Sequence, residues 1–184
     1  EKEADSYSVY RQPQSRSEYP FDDIVLENEH LMAVFHPNTG CLISLIDKAS
    51  GREYINGAAS LVVVQQERRT NDAWKIGRYL KQEPLTDLIS IEFKTSGDLQ
   101  TSFTASYKWG QSKLKVTPIL NAGEKALRFF LEVEWNEVTG EDSAPLLIFR
   151  VPHAEQIGKY LCDVPGGALY RTPRNQDIPC LRFC

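Results

Sequence analysis

The chain has 184 residues, 41% hydrophobic and 25% charged, which is the size and balance of one globular domain able to bury a sizeable core. A net charge of -4 with no basic stripe argues against a nucleic-acid partner. No apolar run approaches the roughly 20 residues that a membrane helix needs, so no membrane partner is expected either.

Residues 1–20 are rich in Glu, Lys, Ser, Arg and Gln without sustained apolar periodicity. They read as a linker or the tail of a preceding element, with Tyr7, Val9 and Tyr10 able to pair briefly. Residues 21–184 read as a β-sandwich domain. Ile24 to Ile55 predicts a meander. Leu31, Ala33 and Phe35 alternate with Met32, Val34 and His36, the period of a strand. Pro37-Asn38-Thr39-Gly40 is a turn: proline presets φ, and asparagine and glycine accept left-handed backbone. In the returning strand, Cys41 to Asp47, Cys41, Ile43 and Leu45 share one face and Leu42, Ser44 and Ile46 the other. Lys48-Ala49-Ser50-Gly51 turns the chain again, and Asn56-Gly57 is a further turn signal.

Leu61-Val62-Val63-Val64 suits a strand buried on both faces. Glu67 to Asp72 is polar and reads as loop. Asp72 to Leu80 offers one or two helical turns from the Trp74/Arg78 spacing. After Pro84 the period is plainly two. Ile89, Ile91 and Phe93 form one run and Phe103, Ala105, Tyr107 and Trp109 the next. Leu114 and Val116 follow, then Leu127, Phe129, Leu131, Val133 and Trp135. Each alternates with a polar phase across Gly- or Asn-containing turns, which predicts antiparallel sheets packed face to face. Asn136 to Pro145 reads as loop, Leu146 to Val151 and Tyr160 to Val164 as strands, and Pro165-Gly166-Gly167 as a turn or bulge. Extended structure resumes at Ala168, Leu169 and Tyr170, before a polar loop from Arg171 to Pro179. The closing Leu181-Arg182-Phe183-Cys184 alternates like a strand just begun, so the domain is expected to be truncated there. In total the pattern predicts about ten strands or more and very little helix.

The side chains that could carry chemistry are sparse. The three histidines, His30, His36 and His153, share no ligand spacing. His30 and His36 sit about 20 Å apart along one strand, too far for one ion. Cys41, Cys162, Cys180 and Cys184 show no zinc-ribbon or Cys-x-x-Cys spacing and read as free thiols of a reducing, cytoplasmic compartment. A glycosidase needs two carboxylates at a fixed separation. Asp22-Asp23, Glu27, Glu29, Asp47, Glu53, Glu132, Glu134 and Glu141-Asp142 are available, yet nothing singles out a pair, and Glu132 and Glu134 read as a solvated face. No Gly-x-Ser-x-Gly and no Cys beside a His occurs, so no catalytic residue is assigned. Asp72-Ala73-Trp74 has the composition of a sugar-holding loop, a ring for the apolar face and a carboxylate for hydroxyls. Its plain alternative is a packed Trp74 and an Asp72 that caps a short helix.

One stretch carries more than periodicity. Asn28, Leu31, Ala33, Phe35, Thr39-Gly40, Leu42, Ser44-Leu45, Asp47-Lys48 and Ser50-Gly51-Arg52-Glu53 together resemble the opening of the C-terminal β-domain of family 38 α-mannosidases. Asp72-Ala73-Trp74-Lys75-Ile76 and Asp163-Val164-Pro165-Gly166-Gly167 resemble the same domain, so the likeness covers most of residues 24–184. It implies an antiparallel β-supersandwich of the galactose-mutarotase type, excised from a zinc-dependent retaining α-mannosidase. Nucleophile, acid/base and zinc ligands would then lie in the catalytic domain upstream. This chain is expected to hold no cofactor and no metal, and to be inactive alone. Its partners would be its own upstream catalytic domain and an α-mannoside substrate. The resemblance places Asp72, Trp74 and Arg171 at the substrate rim, with Arg174 a rival for Arg171. Gly167 stands where bacterial members often carry an aromatic. Two other readings are an independent carbohydrate-binding module, which needs exposed aromatics on one sheet face, and a mutarotase-like epimerase, which needs a His and a carboxylate in one groove. His153 is the candidate there.

Overall fold

The computed structural model describes residues 23–68, 77–155 and 157–173. Among them are thirteen strands and no helix. The meander is β1 (Ile24–Glu27), β2 (Leu31–Phe35), β3 (Leu42–Asp47) and β4 (Arg52–Glu53), paired antiparallel in chain order. A second four-stranded sheet runs in the order β10 (Leu127–Glu134), β9 (Ser112–Asn121), β8 (Gln100–Trp109), β7 (Leu88–Gly97). A third runs β11 (Ser143–Arg150), β5 (Ser60–Glu67), β6 (Tyr79–Pro84), and β12 (Tyr160–Val164) pairs with β13 (Gly167–Arg171) as a separate hairpin. Every pairing is antiparallel. The all-β sandwich expected from the alternating pattern is what the chain forms.

One core serves three sheets. Ile24, Leu26, Leu31, Ala33 and Phe35 from the meander are buried together with Phe103, Ala105, Leu114, Val116 and Leu120 from the second sheet. The edge of the Phe35 ring meets Phe103 with centroids 5.0 Å apart. Phe129 continues the cluster to Phe149 of the third sheet at 4.9 Å. Such ring pairs add about 0.5–1.5 kcal/mol each beyond the area they bury. β5 is buried on both faces, with Leu61, Val62, Val63 and Val64 all at 3% exposure or less, as its apolar run requires. Pro118 lies inside β9, where it has no N–H for the ladder. The β8–β9 pairing lapses beside it, and the Thr104 and Thr117 hydroxyls bond to each other at 2.8 Å across the gap.

The structure departs from simple alternation where strands bulge. The β2–β3 register shifts at Val34/Phe35, so Phe35 faces Leu42 while Ala33 faces Leu45. Ile43 is the extra residue, and Leu42 and Leu45, not Cys41, Ile43 and Leu45 as one series, carry the core face. A second shift, between Leu88 and Ser90, turns Leu88 onto the core and leaves Ile89 63% exposed. β5 runs on to Glu67, and Tyr79 and Leu80 belong to β6 instead of a helical turn: Tyr79 pairs with Gln66, and Leu80 is the extra residue at the register shift. β11 begins at Ser143 and includes Pro145, which an edge strand tolerates.

Candidate functional site

Of the expected rim residues, Asp72, Trp74 and the rival Arg174 lie outside the described residues. Arg171 is described. It ends β13 opposite Tyr160, at the open end of a hairpin. At the closed end Val164 pairs with Gly167, so Pro165-Gly166 is a two-residue turn in place of a bulge. Gly166 has φ +90°, the left-handed conformation that the second central position of a type II turn demands after proline. That tight turn sets the register that puts Arg171 across from Tyr160. The Arg171 Nε is buried and, among the described residues, has no hydrogen-bond partner. A buried guanidinium nitrogen left unpaired is costly, so it is a position to explain.

Beside this end of the hairpin lies an open cleft of about 670 Å³ lined by Glu155, Ile157, Gly158, Tyr160, Thr172 and Pro173. Its lining includes a tyrosine, a glutamate and a threonine. Periodicity alone did not single out Glu155 or Tyr160; the neighbouring Arg171 and the start of the Tyr160 strand were the available signals. The cleft wall is pinned by the end of the meander. The Arg52 guanidinium donates to the Glu155 carboxylate and also lies 5.2 Å from the centroid of the Tyr54 ring. Ala154 N–H donates to Tyr54 O at 2.9 Å, Asn56 N–H to Pro152 O at 3.0 Å, and Ile55 bridges His153. The His153 Nδ1 sits 3.2 Å from the Glu155 backbone N–H, a local turn contact.

The motif residues of the meander hold its turns and tie it to the second sheet. Asn28 is 3% exposed and meets all four of its hydrogen-bonding demands. Its Nδ2 donates to Asn121 O at 2.7 Å and Glu124 O at 2.9 Å, while Oδ1 accepts from the N–H groups of His30 and Leu31, each at 2.8 Å. It thus ties the β1–β2 turn to the β9–β10 turn. Lys48 clasps the same corner, bonding Asn28 O at 3.0 Å and Glu27 at 2.8 Å. Glu53 accepts from the Ser44 hydroxyl, from Leu45 N–H at 2.8 Å and from Ile55 N–H at 2.9 Å. Burial opposes its charge, but these donors outweigh it and hold the carboxyl below its ordinary range. Gly40 has φ +66°, and a Cβ there would meet the Tyr107 oxygen at 2.4 Å and the Ala105 Cβ at 2.9 Å. The Tyr107 phenol donates to Thr39 O at 2.8 Å, and burial, with Cys41 nearby, pushes its pKa far up.

The chain matches the family described as glycosyl hydrolases family 38 C-terminal domain over residues 26–178. It belongs to that family. The protein that carries this family 38 C-terminal domain is a glycosyl hydrolase of that family. No curated protein matches the chain.

In this family 38 domain, among the described residues, no three His, Cys, Asp or Glu side chains converge where they could hold a metal ion. Among the described residues, therefore, no donor set for zinc is assembled. Glu132 and Glu134 are exposed on β10, the solvated face expected of them. Cys41 and Cys162 are buried free thiols; Cys180 and Cys184 lie outside the described residues. Of the exposed aromatics, Phe93 and Phe130 lie in one sheet, Phe93 on the face it shares with the buried Phe103 and Phe130 on the opposite face, and Tyr170 is on the separate hairpin, so among the described residues no aromatic platform of the binding-module kind forms.

Proposed function

We propose that the chain is the non-catalytic β-domain of a zinc-dependent retaining α-mannosidase. It supports the upstream catalytic domain, and the Arg171 hairpin and the Asp72-Ala73-Trp74 segment contribute to the substrate rim. The observation that carries this reading is the family 38 C-terminal match over residues 26–178. The Arg171 Nε, which has no hydrogen-bond partner among the described residues, supports the rim role, because its end of the hairpin adjoins the Tyr160 and Glu155 cleft and a guanidinium can donate to an oxygen-rich ligand. Nucleophile, acid/base and zinc belong, on this reading, to the catalytic domain.

The rim residues bind and orient; they break no bond. Losing one hydrogen bond to a charged group costs about 1.5–3 kcal/mol, or roughly ten- to a hundredfold in kcat/KM. The test is Arg171→Ala and Asp72→Ala in the full-length enzyme, assayed on an aryl α-mannoside with melting temperature as the control. Both are expected to lose activity in that range with folding intact. Full activity in both would reduce the domain to a support, and activity lost in proportion to stability would make both residues structural.

A further inference from the structure

We infer that β10 is a self-association edge: two copies of the chain pair their Leu127–Glu134 strands antiparallel about a twofold axis at Leu131. The two four-stranded sheets would become one continuous sheet. Proteins blunt their open edges with short strands, bulges, proline or charges turned inward. Among the described residues every other edge has such a guard. β1 has four residues and β4 two, and each strand of the separate hairpin has five. β7 carries two register shifts, β6 one and a terminal Pro84, and β11 contains Pro145.

β10 has no proline, bulge or inward-turned charge; what guards it is the outward charges Arg128, Glu132 and Glu134. It runs eight residues in unbroken register against β9, from Leu127 opposite Leu120 to Glu134 opposite Lys113. Its core-facing phase is Leu127, Phe129, Leu131 and Val133, without a charge. Leu131 and Val133 remain 38% and 43% exposed there, and Phe130 on the opposite face is 58% exposed.

The occupant follows from the order of charges. Arg128 lies near the start of the strand, and Glu132 and Glu134 lie at its end. A strand with that polarity complements a reversed copy of itself. With Leu131 opposite Leu131, Phe129 faces Val133 and Leu127 faces Trp135 on the apolar side. On the other side Arg128 faces Glu134, twice by symmetry, and Phe130 faces Glu132. Arg128 already holds Glu124 in a bidentate pair, Nε at 2.9 Å and Nη2 at 3.1 Å, yet its side chain is 59% exposed, so the partner strand's Glu134 competes for a guanidinium that solvent still reaches.

Sedimentation velocity of the full 184-residue chain, over a range of concentrations, tests this. The mass is expected to rise with concentration from 20.9 kDa toward twice that value. Amide exchange in β10 should slow over the same range. Glu134→Arg and Arg128→Glu each set like charges opposite each other twice, and each should weaken dimerisation about tenfold. The combined variant, Arg128→Glu with Glu134→Arg, restores opposite charges in the same register and should recover the dimer. Far-UV circular dichroism confirms the fold of each. A wild-type chain that stays monomeric throughout overturns the inference. So does association that ignores both reversals, which would place the contact on another surface, and so does a combined variant that fails to recover.

Discussion

Asn28 offers the most direct measurement of what the meander motif is for. Asn28→Ala removes four hydrogen bonds at once, two of them to the distant β9–β10 turn. At about 0.5–1.5 kcal/mol net each they sum to roughly 2–6 kcal/mol. Three of the four are only partly buried, so water can replace some partners, which brings the expected loss to about 2–4 kcal/mol. For a domain of this size that lowers Tm by roughly 4–16 °C. Asn28→Asp is the sharper probe. It keeps the shape and the acceptor for His30 and Leu31 N–H, but it turns a carboxylate oxygen toward Asn121 O and Glu124 O, now 2.7 and 2.9 Å from a donor. At pH 7 it should cost at least as much as Asn28→Ala. Part of that cost should return near pH 3, where a protonated carboxyl can donate again. Urea unfolding of wild type and both variants at the two pH values measures it. If Asn28→Asp proves milder than Asn28→Ala at pH 7, the Nδ2 bridge between the two turns is not what holds this corner.

Two further effects follow from the same corner of the fold. Gly40→Ala and Gly51→Ala both place a side chain in left-handed backbone, at φ +66° and +70°, for about 1–2 kcal/mol each. At Gly51 a new Cβ meets nothing within 4 Å, whereas at Gly40 it meets Tyr107 and Ala105, so thermal melting should show Gly40→Ala clearly the more destabilised. Glu53 has a folded pKa held below its ordinary 4.5. A depressed carboxyl contributes stability above its unfolded pKa and loses it as pH falls through the folded value. Glu53→Gln should therefore be destabilised at pH 7 and should lose less on acidification below about 4.3 than wild type does. Unfolding curves that run parallel for the two proteins across that window would count against the assignment. Asp47 and Glu124 are also held low, by Ser50 and by Arg128 respectively, so some acid dependence remains in the variant.

The all-β class, the strand count and most core residues were legible in the sequence because a strand with one buried face must alternate, and Phe103, Ala105 and Tyr107 do so without interruption. The turns were legible for an equally local reason: Gly40, Gly51 and Gly166 stand where φ is positive, a conformation other residues enter at a cost. The family motif was legible too, as fixed spacings from Asn28 to Glu53. Its physical content was not. Asn28 finds its partners 93 and 96 residues away, and Arg52 meets Glu155 across 103 residues, so only the packed sheets could bring them together. The bulges at Ile43 and Ile89 escaped for a related reason: an extra residue in one strand is defined by its partner's register, which no single strand contains. The same holds for the proposed rim. Sequence resemblance named Arg171, but its place opposite Tyr160 was decided by the two-residue turn at Pro165-Gly166, and the cleft beside it by Arg52 anchoring Glu155 from the far end of the chain. Local sterics and periodicity set the elements; long-range hydrogen bonds and strand register, which exist only once the sheets have closed on a common core, set what those elements face.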